Sequence, residues 1–304
     1  MPENNYHSGF VAIIGRPNVG KSTFLNEMVG KKVAIMSDKP QTTRNRILGI
    51  LTTDTYQIAF TDTPGIHKTS TELGRRMVKA SYEATSGVDC ILFMTTPLKK
   101  VLKGDEIILD RLKKTKTPVF LVINKEKKKK KFNDIDLTIA LYKDLYPFEG
   151  VFPISVLEKK NLQPLLEEIK KLLPVGPKYY PEEMISDHST AFLISELIRE
   201  KILFATKEEI PHSIAVVTEE IKPCESDPAY QDIYATIYVE RDSQKKIVIG
   251  KNGSMIKWIK EQSRKDIRKL LNSKVHLELW IKVKKDWKDR PMDLQTLGYR
   301  QDGM

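Results

Sequence analysis

The sequence predicts two domains of different class. An α/β domain on a mostly parallel sheet covers residues 1–173, and an α+β domain covers 189–304. Three observations carry this. Short apolar runs alternate with helical patterns through the first half, as strand–helix–strand units require. At Pro174 that rhythm stops in Pro174-Val175-Gly176-Pro177 and Tyr179-Tyr180-Pro181, turn formers that read as a linker over 174–188. Beyond it the order becomes one helix, two strands, a helical pair and a last strand.

Strands are expected at 10–14, 55–61, 90–94, 119–123 and 151–154, all nearly continuous in apolar residues. Such runs belong to strands covered on both faces, hence the parallel sheet. Helical patterns lie between them at 21–29, 105–113 and 162–172. After the linker, a helix over 189–205 puts Leu193, Leu197, Ile198 and Ile202 on one face. Strands follow at 213–221 and 234–239, the second alternating Tyr234, Thr236 and Tyr238 with Ala235, Ile237 and Val239. The helical pair surrounds residues 250–253, with Ile256, Ile259, Ile267, Leu270 and Leu271 at helical spacing in its second member, and the last strand covers 275–283.

At 304 residues, 40% hydrophobic and 30% charged, the chain has material for two cores. No apolar run approaches the roughly 18 residues that span a bilayer. The polar residues 1–8 do not read as a signal peptide. Cys90 and Cys224 fall in no metal or redox spacing and read as reduced thiols of a cytosolic protein. The net charge of +11 is unevenly spread: residues 241–290 hold 16 Lys+Arg against 6 Asp+Glu, while 174–240 hold 5 against 13. The basic block is a candidate polyanion site.

The strongest local signal is Gly15-Arg16-Pro17-Asn18-Val19-Gly20-Lys21-Ser22, the G-x-x-x-x-G-K-[ST] pattern between a strand and a helix. Its glycines let successive N–H groups point at phosphate oxygens, and the helix aims its positive end at the same anion. Lys21 is assigned to the β- and γ-phosphates, and the Ser22 hydroxyl to Mg2+. About 40 residues on, Asp62-Thr63-Pro64-Gly65 follows a strand. Asp62 is expected to hold Mg2+ through water, and the Gly65 N–H to sense the γ-phosphate. Between them, a threonine of Gln41-Thr42-Thr43-Arg44 completes the Mg2+ shell when that phosphate is present, Thr43 being preferred to Thr42.

On these residues the chain resembles the Era family of bacterial ribosome-associated GTPases. The likeness runs through Gly15 to Ser22 and Thr23, Lys39-Pro40-Gln41-Thr42-Thr43-Arg44, Asp62-Thr63-Pro64-Gly65-Ile66-His67, Val248-Ile249-Gly250-Lys251-Asn252-Gly253 and Ile256-Lys257, in order over nearly the whole chain. It implies a P-loop GTPase domain followed by a type II KH fold, ordered α-β-β-α-α-β, the order read above over 189–283. It implies GTP and GDP with Mg2+ as ligands, binding to the 3′ end of small-subunit (16S) ribosomal RNA, and a role in assembling the small ribosomal subunit. It also implies a cytoplasmic protein with some peripheral contact to the inner membrane; no DNA partner is expected.

The base-recognition segment departs from the family. Guanine-specific GTPases carry N-K-x-D, whose aspartate accepts two bonds from guanine, whereas this chain reads Asn124-Lys125-Glu126-Lys127. A lysine only donates. Losing such a bidentate contact costs roughly 1–3 kcal/mol. Ile154-Ser155-Val156 stands where Ser-Ala is usual, and the Val156 N–H is expected to donate to guanine O6. The expectation is a GTPase with weakened base discrimination; the alternative is an RNA-binding assembly chaperone with relaxed or lost guanine specificity.

Ile66 occupies the position where many GTPases place the glutamine that orients the attacking water. Slow hydrolysis resting on Lys21, Thr43, Gly65 and Mg2+ is therefore expected, with His67 a solvated loop residue. In the second domain Gly250-Lys251-Asn252-Gly253 reads as the loop that clamps a nucleic-acid backbone. Ile247, Ile249 and Ile256 line the adjacent groove, and Lys257, Lys260 and Arg264 track phosphates. Trp258 and Trp280 read as packing residues rather than stacking platforms. The run Lys127 to Lys131 reads as a solvated loop, the other reading being an auxiliary contact to RNA or anionic lipid.

Overall fold

Five apolar runs of the first half, with one further strand, form a six-stranded sheet in the computed structural model, which describes residues 6–39, 41–66, 69–125, 133–207 and 210–299. The elements are β1 (His7–Gly15), α1 (Lys21–Val29), β2 (Ile47–Thr52), β3 (Tyr56–Asp62), α2 (Glu72–Glu83), β4 (Cys90–Thr95), α3 (Lys103–Leu112), β5 (Val119–Asn124), α4 (Asn133–Tyr142), β6 (Gly150–Ile154) and α5 (Leu162–Leu172). Strand order is β2-β3-β1-β4-β5-β6, parallel throughout except for β2, which runs antiparallel to β3. The interior strands β4 and β5 are buried at every position. This is what an apolar run without alternation requires. The order reverses beside β1, so the crevice at the carboxyl ends of β1 and β4 is where a ligand is expected in such a sheet.

Compact packing divides the chain into two units: residues 1–34, 43–68 and 77–187 form the first, and 35–42, 69–76 and 188–304 the second. The stretch expected as a linker differs from that reading. Ser8 N–H donates to the Pro174 carbonyl (3.1 Å) and Gly176 N–H to that of Tyr6 (2.9 Å). Gln57 and Tyr180 exchange two bonds of 2.9 and 3.0 Å, side chain to backbone. Phe10 packs against the ring of Tyr179. Prolines that end a helix thus lay the chain along the edge of the first unit.

The second unit contains α6 (Thr190–Ala205), α7 (Ile210–Ser213), β7 (Ala215–Pro223), β8 (Tyr230–Val239), α8 (Asp242–Ile249), α9 (Ser254–Leu271), β9 (Lys274–Val283) and α10 (Pro291–Thr296). Its sheet has β8 in the middle, antiparallel to β7 and parallel to β9. Leu197, Ile198 and Ile202 of α6, Ile259 and Ile267 of α9, and Ile233, Ala235, Ile237 and Val239 of β8 share one core. The alternation read in β8 thus buries the face it predicts.

Two segments of the N-terminal half also belong to this unit. Ile35 lies in the same apolar core. The Met36 N–H donates to Glu200 Oε1 (2.9 Å), and the Arg199 guanidinium donates to the Thr42 carbonyl. Farther on, the Glu72 N–H donates to Asp289 Oδ1 (3.0 Å) and Arg76 to the Tyr299 carbonyl (2.9 Å). The chain therefore passes from one unit to the other at the peptide joining Thr42 to Thr43.

Trp287 is fully buried, and its indole N–H donates to the Ser213 carbonyl at 3.1 Å. Trp287→Ala is expected to lower the stability of the second unit by about 3–5 kcal/mol, read as an earlier midpoint in urea unfolding.

Candidate nucleotide and RNA sites

The loop between β1 and α1 follows from its residues. Asn18 (φ 61°) and Gly20 (φ 97°) take left-handed conformations that turn the backbone inward. The Phe24 N–H is bonded back to the Gly20 carbonyl, so α1 begins at the end of the loop. The first-turn N–H groups of such a helix have no acceptor within it and, with the helix dipole, form a seat for an anion. Lys21 is buried, its ammonium donating to the carbonyls of Gly15 (3.2 Å) and Arg16 (3.0 Å). Burial lowers the affinity of that amine for its proton, and the Asp62 carboxylate opposes the shift. The Arg16 side chain pairs with Asp105 (2.8 Å), which also accepts from the Tyr142 hydroxyl at 2.7 Å. Arg16 therefore offers the site its backbone rather than its charge.

Three oxygen-bearing side chains meet beside Lys21. The Ser22 hydroxyl donates to Asp62 Oδ2 at 2.6 Å, and the Thr43 hydroxyl lies 3.0 Å from Ser22 Oγ and 3.3 Å from the same carboxylate oxygen. The other carboxylate oxygen, Oδ1, is buried without a hydrogen-bond partner. Burial raises the Asp62 carboxyl above its ordinary range, against the pull of Lys21. A set of hard oxygen donors with one buried, unsatisfied carboxylate oxygen fits Mg2+. Bound there, the cation supplies charge that offsets a nucleotide's phosphates. The Thr42 hydroxyl instead donates to the Lys39 carbonyl (2.6 Å), so of the two threonines it is Thr43 that reaches the cluster.

Gly65 approaches the phosphate loop closely. A Cβ there would stand 2.6 Å from Pro17 Cγ and 2.7 Å from Pro17 N, so a side chain would force the two segments apart. The Thr63 hydroxyl is tied to the Ile13 carbonyl (2.9 Å), and Pro64 accepts from Ser81 (2.7 Å). These bonds fix the segment that presents Gly65. Ile66 lies in the apolar core with Ile91, Phe93 and Ile108 and takes no part in placing a water. His67, Glu126 and the run from Lys127 to Lys131 lie outside the described residues.

Asn124 ends β5 and joins the base-recognition segments to the phosphate loop. Its amide donates to the Val19 carbonyl (3.0 Å) and accepts from the Val156 N–H (3.2 Å). Lys125 N–H donates to the Ile154 carbonyl (2.8 Å), and Ser155 Oγ to the Lys125 carbonyl (3.3 Å). The Val156 N–H, expected to face guanine O6, donates to the Asn124 side chain in this structure. Thr23 follows Ser22 in the first turn of α1, half-buried.

In the second unit, Ile249 ends α8 and Gly250, Lys251, Asn252 and Gly253 lead into α9. Asn252 and Gly253 have φ of 52° and 76°, and a Cβ on Gly253 would meet nothing within 4 Å. The left-handed turn therefore opens onto free space, as close approach by a sugar-phosphate backbone requires. Lys251, Asn252 and Lys257 are exposed, as is Ile247, while Ile249 and Ile256 are partly covered. Lys260 and Arg264 also meet β9: Lys260 pairs with Glu278 (2.8 Å), and Arg264 Nε donates to the Val275 carbonyl (3.0 Å). Trp258 and Trp280 are 41% and 47% exposed, and Trp280 packs by stacking on Tyr234.

Sequence reading missed Arg199 and Glu200, which hold the segment before Thr43. The signal available was Arg199-Glu200-Lys201, three charges inside an otherwise apolar helix, all of them little exposed in the structure.

Two stretches of the chain match known families. Residues 10–125 match the family described as 50S ribosome-binding GTPase, and residues 209–288 the KH domain family. The chain is 50% identical over 297 residues to GTPase Era of Clostridium tetani, covering 97% of this chain and 100% of that protein. It is similar to an Era variant from Aquifex aeolicus bound to GDP and aluminium fluoride, with a TM-score of 0.92, 39% identity and coverage of 96% and 99% of the two chains. It is equally similar to Era in complex with MgGDPNP and nucleotides 1506–1542 of 16S ribosomal RNA, with a TM-score of 0.92, 39% identity and coverage of 97% and 99%.

Asn124→Ala removes both bonds that join the base segment to the phosphate loop. At about 1–1.5 kcal/mol each, affinity for GTP and GDP is expected to fall together by roughly 10–100-fold, read by fluorescent-nucleotide titration. A phosphate loop, an oxygen cluster suited to Mg2+ and a basic nucleic-acid loop, matched in one relative over its whole length, make this chain a member of the Era family of GTPases.

Proposed function

We propose that this GTPase binds the 3′ end of small-subunit ribosomal RNA through the loop at residues 250–253, and that the presence of a γ-phosphate changes its grip on that RNA. The chemistry follows from the site. The loop N–H groups and Lys21 hold the phosphates, and Ser22, Thr43 and Asp62 hold Mg2+. With Ile66 in the core, hydrolysis rests on these groups, helped by another group or by the RNA, and is slow. This is the behaviour of a timer in small-subunit assembly, carried out in the cytoplasm. Peripheral contact with a membrane surface rests only on the family resemblance.

The observation that carries the coupling is the peptide between Thr42 and Thr43. The Thr43 hydroxyl stands in the Ser22–Asp62 cluster, and the carbonyl immediately before it accepts from the buried Arg199. Burial works against the Arg199 charge, and Glu196 and Glu200 outweigh it. The neighbouring Lys201 bridges Glu200 (2.9 Å) and Asp266 of α9 (2.5 Å), the helix that the RNA loop opens. Whatever pulls Thr43 toward a γ-phosphate therefore loads a network of charges that ends on the RNA-binding helix. The neighbours of Arg199 have two functions, as a structural staple and as a relay, and the second is separable by experiment.

Arg199→Lys keeps the charge and loses the forked donor. It is expected to leave GDP affinity within about twofold and to shrink the difference in RNA affinity between GDP-bound and GTP-analogue-bound protein several-fold, read by filter binding. An unchanged difference contradicts the relay. A second measurement concerns the base. GTP, ATP and XTP titrations are expected to show weak preference for guanine, and Lys127→Asp to raise that preference by about 1–3 kcal/mol. No gain on that substitution contradicts the assignment of Lys127 to the base site.

A further inference from the structure

The sequence spacing of Cys224 offers no partner, yet the sheet of the second unit brings one thiol, one carboxylate and one imidazole together. Cys224 Sγ, an Asp232 carboxylate oxygen and a His276 ring nitrogen all lie within 4.8 Å of one another. They come from three places that share one end of the sheet. Cys224 follows β7, and its N–H donates to the Tyr230 carbonyl at 3.0 Å, closing the hairpin. Asp232 in β8 and His276 in β9 are directly paired residues of the parallel ladder. The backbone therefore fixes all three before any ligand arrives, the condition for a tight metal site.

The side chains are also oriented. His276 Nδ1 lies 3.0 Å from Asp232 Oδ1. The imidazole stacks on Tyr230 with centroids 4.3 Å apart and planes at 20°, which holds the ring nitrogen toward the carboxylate. Cys224 is buried, while the His276 side chain is 51% exposed, so an ion enters past the imidazole and meets the sulfur beneath. The Asp232–His276 hydrogen bond accounts for two of the three groups without any metal. It does not account for the sulfur, which faces the pair and has Ser226 Oγ as its hydrogen-bonding neighbour at 3.2 Å.

We infer that Cys224, Asp232 and His276 form a binding site for a divalent transition metal of zinc type, with an open fourth position for water. The donor set decides the class of metal. A thiolate with an imidazole and one carboxylate favours Zn2+ over Mg2+ or Ca2+, which take oxygen donors. Binding releases the thiol proton to solvent. The imidazole coordinates through Nδ1 and carries its one remaining proton on Nε2. The bound ion ties the β7–β8 hairpin to β9, so it stiffens the sheet on which α8 and α9 rest. This site is independent of the nucleotide and RNA assignments above.

Cobalt substitution tests it. The full chain is reduced, freed of metal, saturated with Mg2+ to fill the oxygen cluster at Asp62, and titrated with Co2+. Thiolate coordination gives a near-ultraviolet sulfur-to-cobalt absorption that oxygen sites cannot give. The expected result is one equivalent of this band, displaced by Zn2+, lost in Cys224→Ser and in His276→Ala, and kept in Cys90→Ser, whose thiol lies buried in β4. Zinc is also expected to raise the unfolding temperature of the wild-type chain and of Cys90→Ser but not of the other two variants. Absence of the band in the wild-type protein, or its persistence in Cys224→Ser with native circular dichroism, overturns the assignment.

Discussion

One peptide group carries opposing demands in this molecule. On its C-terminal side the Thr43 hydroxyl belongs to the oxygen cluster of Ser22 and Asp62. On its N-terminal side the Thr42 carbonyl belongs to a guanidinium buried in the second unit. A buried arginine is expensive to leave without acceptors, since breaking such an arrangement costs about 3–5 kcal/mol. The carbonyl is therefore not free to drift, and neither is the residue after it. In the proposed account, nucleotide sensing and RNA binding are linked through this one peptide. A change of about 1–3 kcal/mol between the two ligand sites, the usual size of such coupling, is small beside the cost of breaking that anchor.

Much of the fold is legible in the residue pattern because burial on both faces leaves little choice. Cys90–Thr95 and Val119–Asn124 are apolar at nearly every position and become interior strands. The phosphate loop is equally legible, since its glycines and lysine have few other uses in that context. β2 was not legible. Ile47–Thr52 is short, is interrupted by Gly49 and pairs antiparallel at the sheet edge, where the pattern is weakest. α2 was hidden by its charge: Glu72, Arg75 and Arg76 dominate its first turns because they bond to one another and to the Tyr299 carbonyl.

The sites show the same limit. Types and spacing singled out Lys21, Ser22, Thr43 and Asp62, which the structure brings together. They did not show that Lys260 and Arg264 also meet β9, because a basic residue on a helix looks alike whether or not a neighbouring strand is within reach. They gave no hint of Arg199 or of the meeting of Cys224 with His276, both of which depend on long-range pairing. Charge summed over a segment located the RNA-binding region. It did not say which of its cations are already committed within the protein.

The most direct test is a reciprocal binding measurement on the full chain. The affinity for a GTP analogue is measured with and without a single-stranded RNA matching the ribosomal 3′ end, and the RNA affinity with and without the analogue. The account predicts that the two ratios are equal, as linkage demands, and differ from one, while GDP yields a distinctly different ratio. Identical RNA affinity for empty, GDP-loaded and analogue-loaded protein contradicts it.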